Sequence, residues 1–287
     1  MCNEEVLKKM QEDMEMRNFS PYTKYAYIHK TKETMKYFKE KELEQVTTDE
    51  LRDYLLRYLK EEKKLSDRSV NYYNSVIRFV YEVTMDKLIN KKQLPMRKKK
   101  KEVYKVLTKE ELSAFFNACD NYKYKTMFML VYGSGLRISE VANLRIEDID
   151  SKRMRIFVRE GKGSKERYTI LPKASLEMLR KYWRKYRSEA RKDERIFLSE
   201  TGEAITVGVI RVHFRKYRKK AKLSEKVKVH TLRHSFATDL IERGASIIEV
   251  KEVMGHSNIR STMEYIHVAN RNLSIKSPLD AFLGGKE

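Results

Sequence analysis

The sequence is poor in cysteine and has no long apolar run. Its 287 residues include two cysteines, Cys2 and Cys119. Two thiols so far apart do not make a disulfide framework, and they supply no metal-ligand spacing. A reducing cytosol fits them. The most apolar stretch, MFMLVYG at 127–133, is far too short to span a bilayer. The opening MCNEEVLKKMQEDMEM is too charged for a signal peptide. We find no internal repeat and no low-complexity segment beyond one lysine run. These absences lead us to expect a soluble, cytoplasmic protein with no membrane partner.

What the sequence has in excess is positive charge. Lys and Arg number 62 against 41 Asp and Glu, a formal net charge of +21. Charge of that size points to a polyanion, most commonly nucleic acid, although a merely soluble Lys-rich protein has the same composition. Residues 1–105 carry +7 and residues 106–287 carry +14. Both halves can therefore meet the same polyanion, where a single basic tail would suggest a looser contact. The length suits two domains.

The first ninety residues carry helix signals. Residues 4–16 form one helical stretch. Ser20 before Pro21 reads as an N-cap with Pro at the first helical position. Thr47 or Thr48, followed by Asp49 and Glu50, opens another helix, and Ser66 opens a third with Val70, Tyr73, Val76, Ile77 and Val80 on one stripe. We expect a bundle of about four helices over 1–92. Residues 93–105 follow, with one proline and the basic run Arg97, Lys98, Lys99, Lys100 and Lys101. We read them as a basic interdomain linker that crosses a phosphate backbone, although a solvated charge run has the same appearance.

The second domain, 106–287, opens on Thr108 with Glu110 and Glu111. A helix is expected at about 121–132. Residues 153–159 alternate apolar and basic, which predicts a half-buried strand. A glycine-containing turn leads to a second strand over 167–171 and closes a hairpin. Helices are expected at about 174–192 and 206–221. The fold class is therefore mainly α with a small antiparallel β-sheet in the C-terminal domain.

Five stretches of this domain can carry chemistry. In GLRISE (135–140), Arg137 sits in a tight turn beside a helix N-terminus, placed to grip an oxyanion. A surface ion pair with Glu140 would look the same. In GKGSKER (161–167), Lys162 between two glycines can reach a phosphate or act as a general acid, or be a solvated lysine. In HTLRHSFAT (230–238), His230 and Arg233 share a helix face. His230 and His234 also have the four-residue spacing of zinc proteases. That motif needs Glu where Thr231 stands, and no third ligand is evident, so no metal is expected. In MGHSN (254–258), Ser246 and Glu249 form a capping box for a short helix that ends at Gly255, and His256 follows directly. In STMEYIH (261–267), Ser261 and Glu264 suggest a capping box that places Tyr265 in the first turns of a helix.

These five motifs, in this order and spacing, resemble the tyrosine recombinase family, the phage integrases of Xer-like and integron-integrase-like type. The resemblance covers essentially the whole chain, because the N-terminal helices are similar to the family's SAM-like core-binding domain. It implies a two-domain tyrosine recombinase architecture with Tyr265 as nucleophile. Arg137, His230, Arg233 and His256 would bind the scissile phosphate, Lys162 would be the hairpin proton donor, and Glu140 would support the site. It further implies cleavage and rejoining of DNA through a 3′-phosphotyrosine, with strand exchange through a Holliday junction. The partners implied are a double-stranded recombination site and a homotetramer on DNA (monomer or dimer when free). Neither ATP nor a metal is implied, so no cofactor is expected. The late helix opened by Ser277 and Pro278, over 278–283, would be exchanged between protomers, unless it folds back onto its own chain.

The residue types suit that chemistry. Attack on a phosphodiester builds negative charge on its non-bridging oxygens, and fixed guanidinium and imidazole donors hold it. A free tyrosine titrates near ~10 and needs a base or strong local positive charge to attack at neutral pH. For DNA contacts outside the site we expect the linker residues together with Arg211, Arg215, Lys216, Arg218 and Lys219. We expect no additional N-terminal arm-binding module, and so a simple recombinase serving mobile-element integration and excision or Xer-like dimer resolution. A type IB topoisomerase-like nicking-closing enzyme, or a non-catalytic DNA-binding protein of the same fold, are the other readings of the same residues.

Overall fold

The helix starts expected from the sequence are held by capping chemistry in the computed structural model, which describes residues 1–98, 104–159, 166–256 and 258–266. The chain divides into two compact units, Met1–Glu102 and Val103–Glu287.

The first unit is helical. It contains α1 (Asn3–Met16), α2 (Pro21–Tyr37), α3 (Thr48–Asp53) and α4 (Asp67–Arg78). Both α3 and α4 run on in wider, π-type turns, over Tyr54–Glu62 and Phe79–Thr84. Ser20 Oγ accepts from the Thr23 amide and Ser66 Oγ from the Ser69 amide, each at 3.2 Å. Thr47 and Glu50 form a reciprocal capping box. Each device satisfies amides that the first helical turn leaves without partners. Met10, Met14, Leu51, Tyr54, Val76 and Ile77 form the buried centre. The segment expected to begin a linker at 93 is packed at its start. Leu94 is buried in this core. Asn71 donates to the Arg97 carbonyl at 2.9 Å and accepts from its amide at 2.8 Å. Lys99, Lys100 and Lys101 lie outside the described residues.

The second unit contains α5 (Lys109–Ala118), α6 (Tyr122–Ser134), α7 (Ile138–Asn143), α8 (Lys173–Tyr186), α9 (Val207–Lys220), α10 (Val229–Glu242), α11 (Ile247–Met254) and α12 (Arg260–Ile266). Its antiparallel sheet has the order β1 (Ile149–Asp150), β2 (Arg155–Val158), β3 (Arg167–Ile170). Ile156 pairs with Thr169 and Val158 with Arg167, so the expected hairpin is present. Strand β1 was not expected, because two residues are too few to show an alternation. Helix α8 stops at Tyr186, short of the expected 192. The tip of the hairpin, with Lys162, and the segment 278–283 lie outside the described residues. Thr169 Oγ1 donates to the Ser134 carbonyl at 2.7 Å and ties β3 to the end of α6.

One local expectation is corrected. Helix α12 begins at Arg260, so Ser261 lies inside it. The side chain that meets the start of α12 is Asn258, whose Oδ1 accepts from the Arg260 amide at 2.9 Å. Glu264 instead accepts a hydrogen bond from Tyr104 at 2.6 Å. Among the described residues, no helix is long and apolar enough to cross a membrane.

Candidate active site

The turn between α6 and α7 is shaped by a glycine. Gly135 adopts φ +61°, and a Cβ there would sit 2.4 Å from the Phe236 ring. Only glycine meets both conditions at low cost. Arg137 then stands at the N-cap of α7. Its backbone amide and its Nη1 both donate to Glu140, each at 2.7 Å.

Glu140 is the centre of the cluster. Arg167, at the start of β3, reaches it with Nη1 at 3.0 Å and Nη2 at 2.9 Å. Arg233 Nη1 lies 3.9 Å away. Four hydrogen bonds thus fill the two carboxylate oxygens. Burial by itself would raise the Glu140 carboxyl; Arg167, and Arg137 after it, outweigh this and hold it at about 2. It is therefore a carboxylate at any working pH.

The same three arginines grip the end of α11. Arg167 Nε donates to the Val253 carbonyl at 3.0 Å, Arg233 Nη2 to the Met254 carbonyl, and Arg137 Nη2 to the Gly255 carbonyl at 3.2 Å. The last carbonyls of a helix lack intrahelical partners and form the negative end of its dipole, so cations are stabilising there. Three consecutive carbonyls each receive one guanidinium. Gly255 takes φ +61° as the C-cap, and a Cβ on it would lie 2.6 Å from Arg167 Cδ. His256 follows directly and is placed by this closed turn.

One carboxylate facing three guanidiniums leaves a formal excess of two positive charges in a nearly dry site. Burial, with Arg137 next to it, lowers the Arg233 guanidinium to about 9, Glu140 opposing. An anion entering here removes that repulsion. Arg137 is the guanidinium it would meet first: its side chain is 19% exposed, against 5% for Arg233 and 9% for Arg167. A guanidinium has five N–H donors, so Arg137 and Arg233 retain donors beyond the bonds described.

Tyr265 lies against this cluster, on α12. It is buried with Phe236, Ala237, Ile241, Val250 and Met254. Its Oη is 3.0 Å from His234 Nδ1. Burial raises the phenol above its ordinary value, and the charges of Arg233 and Arg137 pull the other way. The His256 ring stacks against Tyr265 at 6.1 Å between centroids, and its Nδ1 is 2.9 Å from the buried Thr262 hydroxyl. Tyr104 covers the His234 ring at 4.4 Å. Burial first, then the nearby arginines, lowers His256 to about 4.

Arg137, Glu140, Arg233, His256 and Tyr265 are thus brought together. His230 stands on the first turn of α10, with its ring 6.3 Å from that of His234 and edge-on to it. Lys162 lies outside the described residues. Arg167, Thr262 and Tyr104 were not singled out from the sequence, and His234 was named there only for its zinc-protease spacing from His230. Arg167, His234 and Thr262 sit inside the quoted motifs, which was the available signal. Tyr104 gave none. Among the described residues, no group of three His, Cys, Asp or Glu side chains is arranged to hold a metal ion.

On α9, Arg211, Arg215, Lys216 and Lys219 are exposed. Arg218 is not: its Nη1 donates to the Glu225 carbonyl at 2.9 Å, and it fastens the chain that enters α10. In the first unit, Lys98 is exposed, whereas Arg97 Nε pairs with Asp67 at 2.7 Å. That unit also has a cleft between α2 and α4, floored by Tyr54, Tyr58 and Tyr73 and rimmed by Lys36, Lys39 and Arg68.

Comparison with known proteins agrees with this architecture. Residues 105–272 match the model of the phage integrase family, and residues 6–91 match that of the phage integrase N-terminal SAM-like domain. The Sinorhizobium fredii protein y4qK, named as an integrase/recombinase, is 33% identical over 276 residues, covering 95% of this chain and 88% of its own. The tyrosine recombinase XerC of Anoxybacillus flavithermus is 30% identical over 274 residues, covering 90% of each. Among solved structures, the Tn1549 transposon integrase in complex with circular intermediate DNA shares the fold with a TM-score of 0.71 at 20% identity, covering 98% of this chain and 99% of its own. The recombinase XerH bound to a palindromic difH substrate does so with a TM-score of 0.72 at 20% identity, covering 93% and 81%. The chain belongs to the phage integrase family, the tyrosine recombinases, enzymes that break and rejoin DNA.

Proposed function

We propose that this chain is a site-specific recombinase in which Tyr265 attacks the scissile phosphate and forms a 3′-phosphotyrosine. One observation carries the reading: three guanidiniums converge on a single buried carboxylate beside the Tyr265 side chain. Arg137 and Arg233 bind the non-bridging oxygens, and His230 and His256 add imidazole donors. Arg167 and Glu140 hold the arginines in place. Charge that develops in the transition state meets donors that need no rearrangement. Lys162 is the proton donor to the leaving 5′ oxygen that the family resemblance implies. The phosphotyrosine keeps the energy of the broken bond, so attack by a 5′-hydroxyl rejoins the DNA.

The DNA is held by both units. Residues 1–92 serve as the core-binding domain and 93–105 as the basic connection to the catalytic domain, 106–287. The tyrosine-floored cleft and its lysines, together with Arg211, Arg215, Lys216 and Lys219 on α9, supply phosphate and base contacts. Strand exchange proceeds through a Holliday junction in a tetramer, for integration and excision of a mobile element or for dimer resolution.

The test is incubation with a nicked suicide DNA bearing a candidate site, followed by denaturing electrophoresis. A covalent band with the wild type and none with Tyr265→Phe supports the reading. A band with both proteins places the nucleophile on another tyrosine. Relaxation of supercoiled DNA irrespective of site would favour a nicking-closing activity.

A further inference from the structure

His234 has no part in the roles assigned so far. We propose that His234 is the proton acceptor for Tyr265 during attack, a role that rests on the reading of Tyr265 as nucleophile. The geometry is direct. His234 Nδ1 is 3.0 Å from the Tyr265 oxygen, the distance of a hydrogen bond to the reacting atom itself. The two other imidazoles of the site are placed differently. His256 turns its Nδ1 to Thr262 and lies with its ring face along the Tyr265 ring. His230 is set edge-on to His234, with 6.3 Å between the ring centroids.

The His234 ring is held on several sides. It follows Arg233 on α10, and both pack under α12, which supplies Tyr265 and Glu264. Tyr104 covers the ring and donates its hydroxyl to Glu264 at 2.6 Å. The charged and titratable groups around it are therefore His230 and Arg233 on its own helix, Tyr265 and Glu264 on α12, Tyr104, and His256 beyond the Tyr265 ring. Burial, then His230 and Arg233, hold the imidazole at about 4, so it is neutral, and the role requires its Nε2–H tautomer, in which Nδ1 carries the lone pair. A phosphate seated among the arginines offsets their charge and makes that lone pair more basic.

In the step, the Tyr265 O–H bond breaks and the proton passes to Nδ1. The phenolic oxygen forms its bond to phosphorus, and the bond from phosphorus to the 5′ oxygen breaks. The leaving oxygen takes a proton from a separate donor, the ammonium of Lys162. On rejoining, the His234 imidazolium returns its proton to the Tyr265 oxygen as the phosphotyrosine bond breaks, and the attacking 5′-hydroxyl gives its proton to the Lys162 amine.

The experiment compares single-turnover formation of the covalent complex on suicide DNA for wild type, Tyr265→Phe, His234→Asn and His234→Ala. Asparagine preserves a hydrogen-bond acceptor near the position of Nδ1 but cannot take a proton. His234→Asn is expected to bind the DNA with unchanged affinity and to cleave roughly a hundredfold more slowly at neutral pH. The deficit should narrow as pH rises toward the phenol range, and added imidazole should restore part of the rate of His234→Ala. Should Asn at 234 weaken DNA binding, imidazole rescue of His234→Ala gives the same answer. Cleavage by His234→Asn at the wild-type rate would overturn the proposal. So would a deficit that is constant with pH and unmoved by imidazole, which marks a packing role. A covalent band with Tyr265→Phe would sink the reading of the nucleophile instead, and the two failures are separate bands on the same gel.

Discussion

Arg167 and Glu140 meet through two parallel hydrogen bonds, of 3.0 and 2.9 Å, in a setting where both side chains are under 10% exposed. Removing one partner of a buried pair costs about 3–5 kcal/mol, because the other charge is left without compensation. Arg167→Ala should lower stability by that amount in urea unfolding. It should also weaken DNA cleavage, because Glu140 loses two of the four hydrogen bonds that hold it beside Arg137. Lysine should restore little, since it offers a point charge where two parallel donors are needed.

Gly255→Ala should act through the same arginine. The left-handed backbone costs a non-glycine residue roughly 1–2 kcal/mol, and the new Cβ would meet Arg167 Cδ at 2.6 Å. Gly244 is the control: its φ is +93°, and a Cβ there meets nothing within 4 Å. Both variants should lose stability, but only Gly255→Ala should lose covalent complex formation as well.

Thr262→Val keeps the shape of a buried side chain and removes the hydroxyl that binds His256. The fold should survive, with a loss of roughly 1–3 kcal/mol for the imidazole nitrogen left unpaired. Single-turnover cleavage should slow while DNA affinity stays near wild type.

His234 and His256 predict a pH dependence of defined sign. Both are held at about 4, below the ordinary histidine value of ~6.5. The folded protein therefore binds fewer protons than the unfolded chain between these values. Their contribution to stability is present above ~6.5 and is lost as pH falls toward 4. Glu140 stays ionised across this range, with its value at about 2. Thermal melts should fall over that interval, and His234→Asn should flatten part of the fall. DNA offsets the arginine charge, so binding at pH between 5 and 6 should take up protons. Calorimetry in buffers of different ionisation enthalpy would measure that uptake.

Much of this site was legible because its residues sit where local chemistry is loud. Gly135 and Gly255 mark helix ends, Ser246 with Glu249 marks a helix start, and Arg137 follows a turn that only glycine allows. Arg167 was not legible as a partner of Glu140. Its role depends on β3 lying beside α11, and nothing along the chain encodes that adjacency locally. The same holds for Tyr104, 160 residues from the Glu264 it contacts. The false capping box at Ser261 has a simpler cause. Ser and Glu three residues apart satisfy the pattern, but Asn258 stands upstream and captures the first free amide. The strand pair was readable from its alternation, whereas β1, with two residues, was not.

The grip of three arginines on Val253, Met254 and Gly255 bears on how an inert form of this protein should be made. An arginine taken from the site removes a donor from the end of α11 and should loosen the turn that carries His256, so such a variant should be damaged in structure as well as in the proposed activity. Tyr265→Phe removes one oxygen and leaves the ring in its apolar seat among Phe236, Val250 and Met254. A trap for studying bound DNA is therefore best built at that single atom, with the frame of guanidiniums left whole.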